Sequence, residues 1–155
     1  MRLDEAELVR WGVSVGASTP PPVLIGLSGP LGAGKSVLAR AIGAGAGVAD
    51  RMPSPSYTLL QRYEGHGGLQ VVHLDLYRIE SPRDLHELAW TQLGDADEIV
   101  LVEWPERAGE LLPPDHWVIE IDVPDGHPLL RDIEVRRVGS PPGLSCFPMS
   151  VSGSG

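Results

Sequence analysis

Pro22-Val23-Leu24-Ile25-Gly26-Leu27-Ser28, followed at once by Gly29-Pro30-Leu31-Gly32-Ala33-Gly34-Lys35-Ser36, is the stretch that decides the fold. Its first seven residues are a continuous apolar run bounded by proline and glycine, which predicts a buried strand. The next eight fit the pattern G-x-x-x-x-G-K-[ST]. After them, Ser36 to Ala46 is rich in Ala, Leu and Val and reads as a helix, with Gly43, Gly45 and Gly47 fraying its end.

A strand, a glycine loop and a helix in this order suit the binding of phosphates. Glycines let the backbone curl so that successive N–H groups face phosphate oxygens. The helix N-terminus adds the positive end of its dipole. Lys35 is placed to reach the β- and γ-phosphates, and the Ser36 hydroxyl to complete a Mg²⁺ shell. Leu31, Gly32, Ala33, Gly34 and Val37 complete the expected nucleotide-binding set. The competing reading is an ordinary glycine-rich turn. Against it stands the charge count: of 12 basic residues, Lys35 is the only lysine, and it falls where the motif needs one. A guanine-reading N/T-K-x-D loop is therefore excluded, and no D-x-x-G occurs. ATP is favoured over GTP.

A Mg²⁺–nucleotide site also calls for carboxylates at strand ends. Glu103 ends Ile99-Val100-Leu101-Val102, a strand of the Walker B kind. Asp75 lies in His73-Leu74-Asp75-Leu76-Tyr77-Arg78, beyond Val71-Val72. Taken alone, each reads more readily as a surface or capping carboxylate; the loop creates the demand that these two best fill. They are the candidate catalytic residues with Lys35, and the candidate metal ligands with Ser36. His73, two residues before Asp75, would make a ligand pair, but no third His or Cys supports one. His66, His86, His116 and His127 are scattered and read as surface or turn residues. Trp104 is open between a core residue and an exposed contact residue.

Outward from the loop, Leu3 to Val15 has the apolar spacing of a short amphipathic helix, weakened at its end by Gly12 and Gly16. Thr19-Pro20-Pro21-Pro22 forces an extended connection. Tyr57 to Glu64 and Leu69 to Tyr77 read as a hairpin around Gly65-His66-Gly67-Gly68. Ser81-Pro82-Arg83-Asp84 is a helix start, with the helix running to about Trp90. Glu98 to Trp104 is a buried strand. Trp117 to Val123 and Arg131 to Val138 alternate as a second antiparallel pair. Together these predict an α/β domain of the P-loop NTPase type, a mixed sheet flanked by helices. The domain spans 1–139, and the Pro/Gly/Ser-rich 140–155 reads as a flexible tail.

Composition narrows the function. A chain of 155 residues suits one domain. Asp and Glu outnumber Lys and Arg by 21 to 12, a net charge of −9, which lacks the electrostatic footprint of a nucleic-acid or anionic-membrane binder. The single cysteine, Cys146, rules out an intrachain disulfide and a cysteine zinc site. The N-terminal Met1 to Arg10 is acidic and mixed, unlike a signal peptide. The apolar stretches are too short for a membrane span. A cytoplasmic setting is expected.

The motifs resemble the TsaE (YjeE) family, small P-loop ATPases of bacterial tRNA threonylcarbamoyladenosine (t6A) synthesis. The resemblance rests on Leu31 to Ser36, Ser54-Pro55-Ser56-Tyr57-Thr58-Leu59, Tyr63-Glu64-Gly65, His73 to Arg78, Val102-Glu103-Trp104-Pro105-Glu106-Arg107 and Leu111-Leu112-Pro113, in order. It covers roughly residues 3–138. It implies that Lys35 and Ser36 take phosphates and Mg²⁺, and that Asp75 and Glu103 are the family's acidic residues, tied to Mg²⁺ and the attacking water. It also implies that Trp104 is the tryptophan beside the site, and that Ser56 sits in a switch-like loop near the γ-phosphate. Ser36 and Ser56 stand where the family usually has Thr, which keeps the hydroxyl; Pro30 stands where Asp is usual. The implied partners are TsaD and TsaB, which the ATPase supports without itself transferring the group to tRNA. A small-molecule kinase is the alternative, although the arginines are dispersed rather than gathered in a lid. A nucleotide-dependent binding module without turnover is a third class.

Overall fold

The computed structural model describes residues 1–49, 52, 60–80, 84, 93 and 95–143. Its elements are β1 (Arg2–Asp4), α1 (Glu5–Ser18), β2 (Val23–Ser28), α2 (Lys35–Gly45), β3 (Leu60–Glu64), β4 (Gln70–Asp75), β5 (Glu98–Glu103), β6 (His116–Asp122) and β7 (Leu130–Val138). Among the described residues these strands form one sheet, in the order β1-β7-β6-β2-β5-β4-β3. β2 runs parallel to β5 on one side and to β6 on the other, and β4 runs parallel to β5. β3, β7 and β1 pair antiparallel at the margins. The sheet is mixed and the architecture α/β, as the sequence predicts. β6 and β7 form the predicted antiparallel pair, and β6 also joins the central strand β2.

β2 and β5 carry apolar residues at nearly every position because both of their faces are covered. Ile25, Leu27, Val71, Ile99 and Leu101 meet Leu38, Ala39 and Ile42 of α2 and Leu8 and Val15 of α1 in one core cluster. Leu24, Val72, Leu74, Val100 and Val102 form a second cluster with Leu76, Ile79 and Ala108. The alternation puts odd-numbered residues of β2, β4 and β5 on the helical face.

The first helix starts and ends later than its periodicity predicts. Leu3 belongs to β1, and Asp4 caps α1: its side chain accepts from Glu7 N at 2.8 Å, while Glu7 Oε1 accepts from Asp4 N at 3.1 Å. Gly12 and Gly16 do not end the helix; they are where it touches α2. A Cβ on Gly16 would lie 1.8 Å from Ile42 O, so only glycine lets the two backbones approach this closely. A glycine inside a helix costs about 1 kcal/mol in propensity, and this contact offsets it.

The hairpin forms as predicted over β3 and β4, with a short 3₁₀ turn at His66–Gly68. A 3₁₀ segment at Pro105–Leu111 follows β5 and has no counterpart in the sequence reading. His116 is buried, and its Nδ1 lies 2.8 Å from Pro113 O, so the surface assignment does not hold for it. From Ser140 to Pro142 the chain stays in contact with the domain. Ser140 N donates to Asp115 Oδ1 at 2.7 Å, Trp117 Nε1 donates to Pro142 O at 2.8 Å, and Pro141 is buried. Ser56, the predicted start of β3 at 57–59, the predicted helix 81–90 apart from Asp84, and 144–155 lie outside the described residues. Among those described, no helix is long and apolar enough to cross a membrane.

Candidate active site

Three parallel strands end together beneath the N-terminus of α2. Register sets Leu27 of β2 opposite Glu103 of β5, and Glu103 opposite Asp75 of β4. Strand periodicity then matters. Val71, Ile99 and Leu101 point into the helical core, so His73, Asp75 and Glu103 share their face and come out beside the glycine loop. Two segments far apart in sequence thus present carboxylates to the same loop.

Gly34 ends the loop at φ 110°, ψ 18°, a left-handed conformation that L side chains adopt at a cost. Inside the loop Ala33 N donates to Pro30 O at 3.1 Å, and α2 begins with Leu38 N donating to Gly34 O at 2.9 Å. Lys35 is the first residue of α2 and is only 5% exposed. Its Nζ donates to Gly29 O at 2.6 Å and Pro30 O at 2.8 Å, and lies 4.3 Å from the centre of the Trp104 ring. Burial lowers the Lys35 pKa from the ordinary lysine value, while the charges of Glu103, Glu106 and Asp75 oppose that shift. Leu31 is exposed at the loop tip, Ala33 is buried, and Val37 packs against the core while its backbone lies in the first turn of α2.

Ser36 Oγ donates to the Glu103 carboxylate, 3.0 Å from Oε1 and 3.1 Å from Oε2. This is the contact that the phosphate-loop reading demands of its hydroxyl and its acidic strand end. Glu103 is 3% exposed, and its Oε2 lies 2.6 Å from His73 Nε2. His73 is fully buried, and its Nδ1 has no partner among the described residues. The proton therefore belongs on Nε2, which donates to Glu103. The sequence set His73 beside Asp75; the fold pairs it with Glu103. Asp75 is half-buried, and its Oδ1 accepts from Tyr77 N at 3.0 Å. Burial raises the Asp75 pKa above the usual carboxylate range. The Tyr77 bond counters this, and the neighbouring Glu103 charge adds to it.

Trp104 resolves its open reading by being both things at once. It packs against the second core cluster, and its ring faces Lys35 on the loop side. Tyr77 lies 5.1 Å from it, ring centre to ring centre, and the Arg107 guanidinium 5.9 Å away. Its backbone is left-handed at φ 61°, ψ 52°, a conformation costing about 1–3 kcal/mol that marks a constrained position.

One residue at the loop went unnoticed in the sequence. Arg131 of β7 donates from Nε to Ala33 O at 2.6 Å, across 98 residues of chain. No motif surrounds it, and its alternating strand gives no signal.

The donor set suits Mg²⁺. Ser36 and Glu103 offer hard oxygens. Among the described residues no group of three or more His, Cys, Asp or Glu side chains could hold a metal ion on its own. A Mg²⁺ here would take its remaining ligands from phosphate and water, as that ion commonly does.

Known proteins resemble this chain in sequence and in fold. A family model described as "Threonylcarbamoyl adenosine biosynthesis protein TsaE" matches residues 3–131. The tRNA threonylcarbamoyladenosine biosynthesis protein TsaE of Haemophilus influenzae is 32% identical over 137 residues, 85% of this chain and 84% of that protein. The TsaE protein of Streptomyces coelicolor is 34% identical over 119 residues, 75% of this chain and 80% of the relative. The crystal structure of Bacillus subtilis YdiB superimposes with a TM-score of 0.70 at 25% identity, covering 86% of this chain and 80% of that one. The kinase alternative is not favoured.

Proposed function

Because the chain belongs to the TsaE family of threonylcarbamoyl adenosine biosynthesis proteins, we propose that it binds Mg²⁺–ATP at loop 29–36 and hydrolyses it in support of a TsaD–TsaB complex. The observation that carries the ATPase reading is the Ser36–Glu103 hydrogen bond beneath Lys35. It joins the phosphate loop to an acidic strand end, as a nucleotide–metal site requires.

Each residue then has a role that follows from its place. The loop N–H groups and Lys35 bind and neutralise the phosphates. Ser36 and Glu103 hold Mg²⁺, which when bound draws charge off the transferring phosphate. His73 fixes the orientation of Glu103. Asp75, one strand further out, orients the attacking water. Trp104 covers Lys35 and limits water at its ammonium. Ser56 is assigned to a loop ordered by the γ-phosphate. Residues 53–58 should accordingly exchange amide hydrogens more slowly with a nonhydrolysable ATP analogue than with ADP.

The acidic surface argues against direct tRNA binding. Glu120, Asp122, Asp125, Asp132 and Glu134 cluster where β6 meets β7; among the described residues Asp132 forms an ion pair with Arg2 and Glu120 with Arg136. A polyanion is repelled there, whereas a basic partner surface is attracted. Association with TsaD–TsaB should weaken as salt rises, tRNA should compete with it, and the isolated protein should bind no tRNA at physiological salt. A cytoplasmic setting belongs to the same proposal, as does a catalytic unit spanning 1–139. The decisive test is Mg²⁺-dependent ATP hydrolysis measured with and without the TsaD–TsaB pair. Stimulation supports the reading; no hydrolysis in either case contradicts it.

A further inference from the structure

We propose that Arg131 is a positioning residue that sets the phosphate loop in its binding conformation. The inference rests on the nucleotide-site reading above and adds to it a residue from the opposite flank of the sheet.

Two nitrogens of the guanidinium group, Nε and Nη1, are committed to backbone carbonyls. Nε donates to Ala33 O at 2.6 Å; Nη1 donates to Pro128 O at 2.8 Å and Leu130 O at 2.7 Å. Two of these carbonyls lie on its own approach to β7, so they fix the fork before it reaches the loop. β7 is itself anchored on both sides, pairing with β6 and with β1, where Leu3 faces Arg131. The third carbonyl belongs to the loop, and there the geometry has a chemical consequence. A trans peptide points its C=O and its N–H in opposite directions. With Ala33 O drawn outward to Arg131, the N–H of Gly34 in the same peptide plane is turned the other way, into the cradle where phosphate oxygens bind. The Gly34 conformation, φ 110°, is one that glycine leaves readily, so an external hold on this peptide has work to do. A Cβ on Gly34 would lie 3.9 Å from Arg131 Nε, which shows how closely the guanidinium backs the loop. Its charge also lies at the positive end of α2, on the side away from the carboxylates, and so adds to the attraction for an anion.

Calorimetry with ADP tests this on the full chain. Arg131→Gln should raise the ADP Kd about tenfold, the size expected for losing one charge-assisted hydrogen bond. It should also speed amide exchange in 29–36 while leaving exchange in the strand cores unchanged. Arg131→Lys, which keeps the charge but offers a single donor nitrogen, should recover part of the affinity. Arg136→Gln removes the same charge from the same strand, at an exposed pair with Glu120, and should bind ADP as the unaltered protein does. Unchanged ADP affinity in Arg131→Gln overturns the inference. So does a loss accompanied by faster exchange throughout the sheet, or a loss matched by Arg136→Gln. If the unaltered chain binds no ADP, the nucleotide site itself fails, a result separable from all of these.

Discussion

On one side of β2, strands β5 and β4 bring Glu103, His73 and Asp75 up to the phosphate loop. On the other side, β6 and β7 bring Ile121 and Arg131. The first group meets the loop through side chains: Glu103 on the Ser36 hydroxyl, His73 on Glu103. The second meets its backbone: Arg131 on Ala33 O, and Ile121 O so close to Gly29 that a Cβ there would approach to 2.2 Å. One flank therefore carries groups that can act on a ligand, and the other carries groups that hold the loop's shape. The two flanks should fail differently. Damage to the first should cost turnover, and damage to the second affinity.

The largest effect is expected at Glu103. Glu103→Gln should slow Mg²⁺-dependent ATP hydrolysis by about 10²–10⁴-fold, the range for losing a positioned catalytic group, and should remove the dependence of ADP affinity on Mg²⁺. Asp75→Asn should lose rate on the same scale and keep that Mg²⁺ dependence, which separates the metal role from the water role. Steady-state kinetics and calorimetry on both variants read this directly. Lys35→Ala comes next. Removing one charge-assisted phosphate contact costs about 1.5–3 kcal/mol, seen in ATP affinity, hydrolysis or both. Arg131→Gln follows, with its effect confined to affinity.

The smallest effect lies at the margin of the holding flank. Arg2 and Asp132 pair across β1 and β7 at 2.7 Å, both well exposed. The hydrogen bond from Arg2 keeps Asp132 below the usual carboxylate range. Its stabilisation is thus present above the unfolded-state pKa and is lost as pH falls through the lower folded value. Solvent screening keeps it small. Asp132→Asn should shift Tm slightly at neutral pH, and the shift should vanish in acid; a thermal melt series checks it.

What could be read in the sequence follows the same division. Lys35, Ser36 and the glycines around them are legible because a phosphate loop is local: eight adjacent residues specify a conformation and a chemistry together. Glu103 and Asp75 are legible because apolar runs end at them, and a loop nearby needs carboxylates. The pairing of His73 with Glu103 is not legible, since it depends on which strands become neighbours. Gly12 and Gly16 misled the reading of α1, because a glycine that permits close helix contact looks the same in sequence as one that ends a helix. The left-handed backbone of Trp104 is likewise imposed by the turn into Pro105–Leu111 rather than by its residue type. Arg131 is the extreme case, one of three arginines in an alternating strand, whose target lies 98 residues away.

The division between flanks can be tested in one experiment: ATP hydrolysis at saturating Mg²⁺–ATP, with TsaD and TsaB present, for Arg131→Gln and Glu103→Gln side by side. The account predicts that saturation restores most of the rate to Arg131→Gln, because its loop still closes once nucleotide is forced in. Glu103→Gln should stay at least about 100-fold below the unaltered protein at any ATP concentration. Equal losses in both variants at saturation, or a Glu103→Gln protein rescued simply by more ATP, would contradict it.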